Sequence, residues 1–250
     1  MTEIRDAATV VLLRDHADGL QAWLLTRVKQ MVFAAGMSVF PGGRVDDADA
    51  ELPFAAGAVA AVAGRFGCDE RQARALLGAA VRETFEETGV LLSVPAADLS
   101  GARTDVEAGR VSFGDLLRAN NLVVDTESLR PWARWITPPG ETRRYDTHFF
   151  VAALPEGAEA QDVTTESSDA SWIRPADALE QAQRGERGLL PPTIATLAAL
   201  QPFATVAEVL AAADSRPLQA ISPDIRIEGD RIIAELPGGE TIELPKALFS

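Results

Sequence analysis

Ala79-Ala80-Val81-Arg82-Glu83-Thr84-Phe85-Glu86-Glu87-Thr88-Gly89-Val90 is the stretch on which the reading of this chain turns. On a helix, positions three and four apart share a face, so Glu83, Glu86 and Glu87 direct their carboxylates into one small volume. Such a trio repels itself unless a cation neutralises it. Hard divalent ions such as Mg²⁺ or Mn²⁺ take oxygen ligands of this kind, together with substrate phosphate oxygens and water. Glu83, Glu86 and Glu87 are therefore candidate metal ligands. Arg82 adjoins Glu83 and lies four before Glu86, where it can orient a ligand carboxylate; the plainer alternative is a surface ion pair worth about 0.3–0.5 kcal/mol.

A glutamate-rich helix taken alone is more often a solvated face, but two neighbouring features argue against that. The helix closes at Gly89 and returns into aliphatic Val90-Leu91-Leu92, which sets the acidic face between core elements. Upstream, a strand ending in Phe40 runs into Pro41-Gly42-Gly43, a glycine turn able to bring backbone amides close to a phosphate or a metal ligand.

Working outward, Asp69 offers an N-terminal cap and Gly89 a stop, predicting a helix over about 70–88, with an alanine-rich helix before it. Residues 8–14 and 21–27 are β-branched and aliphatic runs around the turn His16-Ala17-Asp18-Gly19, predicting a hairpin. Strands are expected at 38–40, 120–124, 132–137, 145–153 and 170–173. Helices are expected near 175–184, 191–200 and 205–213, the second opened by Pro191-Pro192 and the third by Thr205. A terminal hairpin, 225–227 with 232–235 and then 241–244, has Gly229-Asp230 and Gly238-Gly239 at its turns. This order predicts a mixed sheet covered by helices, an α/β or α+β sandwich.

The chain has 250 residues, 47% of them hydrophobic, which is ample core material. A formal net charge of −14 gives no general attraction to nucleic acid or anionic lipid. No run is long enough to span a bilayer, and residues 1–6 lack the basic and apolar regions of a signal peptide. Cys68, the single cysteine, allows no intrachain disulfide, and a reducing cytoplasm is the expected compartment. Cys68 itself is expected as a small half-buried residue.

Residues 82–90 resemble the second half of the Nudix box: arginine, glutamate, two variable positions, paired glutamates, one variable position, glycine, aliphatic. Pro41-Gly42-Gly43 resembles its opening turn. Residues 44–81 then form a long insertion, and the box's first glutamate, counted back from Arg82, falls on Arg74. An inserted box is similar to the Nudix branch that includes the peroxisomal coenzyme A diphosphatases. So are Leu24-Leu25-Thr26, Phe33, Gly36, residues 39–46, Trp135-Ile136-Thr137-Pro138, residues 143–150 and Leu190-Pro191-Pro192-Thr193. An arginine of the coenzyme A signature stands here as Val32.

The resemblance implies an α/β/α sandwich over residues 1–215, with a helical insertion at about 50–72 and a β-hairpin extension over 216–250. It also implies metal-dependent attack of water on a nucleoside diphosphate-linked substrate, with coenzyme A or an acyl-coenzyme A as the leading one. ADP-ribose or a dinucleotide is the alternative, and a non-catalytic nucleotide sensor is a third. Glu83 and Glu166 share candidacy for the general base. Gly42, Gly43, Arg44 and Arg144 are candidate substrate contacts, Arg144 as a bidentate phosphate clamp. His148 is expected to be a strand residue, and Trp132, Trp135 and Trp172 to be core. The alanine-rich helices and terminal hairpin suggest a homodimer.

Overall fold

The structure, a computed structural model, describes residues 3–27, 36–161, 167–229 and 231–244. Its spine is β1 (Ile4–Arg14), where Val10 and Leu12 face one layer of the molecule and Val11 and Leu13 the other, all fully buried. A strand covered on both sides has no polar face, hence the unbroken aliphatic run. β2 (Gln21–Arg27) returns antiparallel through Leu13↔Ala22 and Arg14↔Gln21, the expected hairpin. β3 (Met37–Val39) pairs with the far end of β2.

The next segment departs from expectation. Gly42–Arg44, foreseen as part of a turn, forms a strand, β4, antiparallel to Ala7, Ala8 and Thr9 of β1. A Cβ on Gly42 would overlap the Ala8 carbonyl oxygen, so this glycine serves the close approach of two strands. β1 thus has β4 beside its first half and β2 beside its second.

A 3₁₀ turn (Asp47–Glu51) and α1 (Val59–Phe66) lead to α2 (Glu70–Thr88). The boundaries of α2 are the expected ones: the Asp69 carboxylate accepts from Gln72 N at 2.8 Å, and Gly89, at φ 75°, donates its N–H to Phe85 O. Short elements follow, namely β5 (Ser93–Val94), α3 (Arg103–Glu107), α4 (Phe113–Ala119) and β6 (Val123–Val124). β7 (Arg130–Ile136) is antiparallel to β8 (Arg144–Ala153), which runs parallel to β1 from Ile4↔Arg144 to Leu13↔Ala153. β9 (Ser167–Ile173) lies antiparallel along β2. The last third contains α5 (Pro175–Gln183), β10 (Gly188–Leu189), α6 (Pro191–Leu200), α7 (Val206–Ser215) and β11 (Ala220–Ile221).

The main sheet runs β10-β3-β2-β1-β8-β7-β11, with β4 added on β1 and β9 on β2. α1, α2 and α4 cover one face through Phe66, Leu76, Leu77, Phe85, Phe113 and Leu117. α5, α6 and α7 cover the other through Ala178, Leu197, Leu200 and Val209, against Trp132 and Trp135. The result is the mixed-sheet sandwich that the order of elements predicts. β12 (Asp224–Glu228), β13 (Arg231–Glu235) and β14 (Thr241–Leu244) form a separate antiparallel sheet around Ala234, the expected hairpin with the stretch foreseen at 241–244 paired onto it. Among the described residues, no helix is long and apolar enough to cross a membrane.

Candidate active site

Helix α2 buries Ala80, Val81, Thr84 and Phe85 against the sheet and turns Glu83, Glu86 and Glu87 along β4. Gly42 N donates to Glu87 Oε2 at 2.9 Å. A Cβ on Gly43 would lie 2.5 Å from the Glu83 carboxylate carbon, so this glycine is needed for Glu83 to lie against the strand. The glycine pair foreseen as a phosphate-binding turn therefore also cradles the glutamates.

Arg82 holds the cluster together. Its Nη1 donates to Glu83 Oε1 at 2.7 Å and to Glu86 Oε2 at 3.3 Å. Its Nε and Nη2 grip both oxygens of Asp49 at 2.8 and 2.9 Å, and Nη2 also reaches Arg44 O at 3.0 Å. Asp49 is buried, and its Oδ2 also accepts from Asp46 N at 2.8 Å, fixing its rotamer at the head of the 3₁₀ turn. The turn can dock because α2 carries Gly78 where the Asp49 main chain passes; a Cβ there would overlap it.

Asp49 is the residue that reading the sequence undervalued. The count back from Arg82 lands on Arg74, whose guanidinium instead donates to Ala50 O and Leu52 O and lies over the Phe54 ring, tying the insertion down. The acid that meets Arg82 comes from before the insertion. Looking forward from Gly43 to the first acids, Asp46-Asp47-Asp49, was the available signal.

The electrostatics are those of a site short of positive charge. Burial drives the Glu83 carboxyl above its usual range despite Arg82 beside it. Burial, reinforced by the charge of Glu83, pushes Glu86 up to about 7 against the pull of Arg82. Burial opposes the Arg82 charge, but its bonds to Asp49 and the fields of Glu83 and Glu86 outweigh that, and its pKa stands above the usual arginine value. One guanidinium thus serves three carboxylates, those of Asp49, Glu83 and Glu86. That donor set, all oxygen and partly desolvated, fits a hard divalent cation.

The other expected residues are more scattered. The Arg44 guanidinium turns to Asp46, at 2.6 Å from Nη2. Arg144 donates from Nε to Thr137 O at 3.0 Å and pairs in register with Ile4, four positions from the Ala8↔Gly43 pair; at about 3.3 Å per residue that is roughly 13 Å along the strand. Glu166 lies outside the described residues, as do Val32 and Phe33. Gln161, just before that segment, donates its N–H to Thr88 O at 2.9 Å, beside the glutamates. His148 is buried on β8 with Nδ1 unpartnered, and burial lowers its pKa although Asp146 raises it. Trp132 and Trp135 are core residues, while Trp172 is half-buried with the Arg14 guanidinium 4.5 Å from its ring centre.

Comparison with known proteins agrees with this geometry. The NUDT19 Nudix domain matches residues 71–200, more than half of the chain, and takes in α2 and its glutamates. The chain belongs to the Nudix hydrolase family. A solved structure similar to this Nudix hydrolase, a NUDIX hydrolase from Alicyclobacillus acidocaldarius, superposes with a TM-score of 0.72 at 30% identity, covering 88% of this chain and 99% of that one. The acyl-coenzyme A diphosphatase NUDT19 of Xenopus laevis is 26% identical over 91% of this chain and 72% of its own length. The human protein of the same name is 28% identical over 90% and 72%. This Nudix hydrolase is thus similar along most of its length to proteins named acyl-coenzyme A diphosphatases.

Proposed function

We propose that the chain hydrolyses the diphosphate linkage of coenzyme A or an acyl-coenzyme A, releasing a phosphopantetheine fragment and an adenosine bisphosphate. The observation that carries the reading is the convergence of Glu83, Glu86 and Glu87 beside the glycine strand, with Arg82 as the counter-charge shared by Glu83 and Glu86. The names of the Xenopus and human relatives favour coenzyme A over other nucleoside diphosphates.

In this reading Glu83, Glu86 and Glu87 hold Mg²⁺ or Mn²⁺. When bound there, a divalent cation neutralises charge on the diphosphate and makes a coordinated water more acidic. Asp49 and Arg82 keep Glu83 and Glu86 turned toward the site, and the Gly42 amide holds Glu87. Glu83 or Glu166 accepts the proton of the attacking water. Gly42 and Gly43, whose faces are taken by β1 and Glu83, act on the substrate through the glutamates they seat, and Arg44 and Arg144 supply its cationic contacts. A homodimer belongs to the same proposal; a monomer mass in light scattering at micromolar concentration removes it.

The test is to incubate purified protein and its Glu86→Gln variant with Mg²⁺ or Mn²⁺ and coenzyme A, acyl-coenzyme A, ADP-ribose or dinucleotides, resolving products by mass. Cleavage of the coenzyme A compounds that is lost in the variant supports the proposal. Preferential cleavage of ADP-ribose or a dinucleotide replaces the substrate, and binding without cleavage replaces hydrolysis by sensing.

A further inference from the structure

The metal-binding helix ends where its own backbone cannot satisfy itself, since the last four carbonyls of an α-helix have no intrahelical donor. In α2 these carbonyls belong to the turn that carries Glu86 and Glu87. Gly89 N–H takes the Phe85 oxygen, and the backbone of Gln161 takes that of Thr88. The Glu86 carbonyl is met by a side chain from elsewhere, Arg103 of α3, whose Nη1 donates to it at 2.6 Å.

Arg103 is 5% exposed, which is unusual for an arginine. Its Nη1 also lies 3.3 Å from Glu107 Oε2, one turn along α3, and its Cδ passes 3.9 Å from where a Gly89 side chain would begin. A buried cation at a helix C-terminus interacts favourably with the helix dipole, and a charge-assisted bond to the carbonyl fixes that turn in place. The bond is made to the main chain of the residue whose carboxylate faces Arg82 on the other side. Glu86 is thus held at both ends by arginines, Arg82 at its carboxylate and Arg103 at its backbone.

We infer that Arg103 is a positioning residue for the metal site, fixing the last turn of α2 so that Glu86 and Glu87 present their carboxylates in one geometry. The inference rests on the assignment of these glutamates as metal ligands. It also gives α3, a five-residue helix outside the box, a function.

The experiment is a Mn²⁺ titration followed by electron paramagnetic resonance of the free ion, on the full chain without substrate. Wild type, Arg103→Met, Arg103→Lys, Glu107→Gln and Glu86→Gln are compared, each with its thermal midpoint. Arg103→Met is expected to weaken Mn²⁺ about tenfold, as removal of residues that orient ligands commonly does. Arg103→Lys, which keeps a cation within reach of the carbonyl, recovers most of that loss. In activity assays the loss appears in the Mn²⁺ concentration for half-saturation, while kcat at saturating Mn²⁺ stays within about twofold of wild type. Glu107→Gln leaves the bond to the Glu86 carbonyl intact and keeps wild-type affinity.

A folded Arg103→Met protein with wild-type affinity overturns the inference. If Arg103→Met does not fold, the other two variants decide: a small loss of Mn²⁺ affinity in Arg103→Lys beside wild-type affinity in Glu107→Gln supports the inference, and a larger loss in Glu107→Gln than in Arg103→Lys overturns it, because the ion pair within α3 then matters and the cap does not. Glu86→Gln separates the two levels of argument. If that variant binds Mn²⁺ as wild type does, the ligand assignment itself fails; if it loses Mn²⁺ while Arg103→Met keeps it, only the role of Arg103 fails.

Discussion

Two clusters of acids lie on the same side of the sheet, one at each end of α2, and they differ in how their charge is balanced. Near the start of the helix, Asp6, Asp146 and His148 bring ligand atoms within 4.8 Å of one another, a spacing that would suit a metal ion. Yet Arg134 grips both oxygens of Asp146 at 2.9 and 2.7 Å, and Asp6 accepts from Gln72 Nε2 at 2.8 Å. Toward the far end, Arg82 is, among the described residues, the one guanidinium shared by Asp49, Glu83 and Glu86, and two of the glutamate carboxyls are driven upward by burial. Proximity of oxygens is common to both clusters; among the described residues the first sets two carboxylates against Arg134, and the second sets three against Arg82. A cation binds where it relieves repulsion, and at the first cluster it would have to displace a guanidinium.

The sharpest way to break this comparison is to remove one acid from each. Glu86→Gln is expected to lower turnover about a thousandfold if the proposed ligand assignment holds, since loss of a metal ligand forfeits several kcal/mol of charge stabilisation; steady-state kinetics on the folded variant checks it. The metal-free variant should melt no lower than wild type, because a repelled buried carboxylate has gone. Asp49→Asn comes next, at about 10- to 100-fold in activity, with a lower thermal midpoint as well because Arg82 loses its bidentate partner.

The pH dependence is smaller. Glu86 is pushed up to about 7, so the metal must displace its proton below that pH. Mn²⁺ affinity should rise about tenfold between pH 6 and 8 and then flatten, as calorimetry across that range can show. For the metal-free protein the sign reverses. A carboxyl raised from 4.5 to about 7 contributes stability below the lower value that is lost as pH climbs through the upper one. The gap in melting temperature between loaded and empty protein should therefore widen over this window. Last, Asp146→Asn should leave Mn²⁺ affinity unchanged while destabilising the fold by about 2 kcal/mol, because Arg134 loses its partner. A loss of Mn²⁺ affinity in that variant would mean that geometry, and not charge balance, chooses the site.

How much of this was legible in sequence follows from how local each signal is. Helix α2 could be read to the residue because Asp69 and Gly89 mark its ends chemically, and its three glutamates follow from helical spacing alone. The strand at Gly42–Arg44 was misread as a turn because two glycines signal conformational freedom, whereas here they serve close packing against Ala8 and Glu83. Asp49 and Arg103 were hidden for a different reason. Each reaches α2 from a separate element, Asp49 from 33 residues before Arg82 and Arg103 from 17 residues after Glu86, and no local periodicity encodes such a meeting. α3 and β5 are too short to leave a pattern, whereas β6 falls inside the strand expected at 120–124.

The clasp between Asp49 and Arg82 also says something about how such a box tolerates being interrupted. Everything between the two residues is a loop whose ends are pinned by paired hydrogen bonds, with a second clip where Arg74 meets Ala50 and Leu52. The entropic cost of closing such a loop grows only with the logarithm of its length, about 0.6 kcal/mol for each doubling. Residues can therefore be added before or after α1 for little penalty while the clasp holds, whereas α1 itself carries Val62 and Phe66 into the core. Length in this stretch is nearly free to drift, and the acid and the arginine that close it are not.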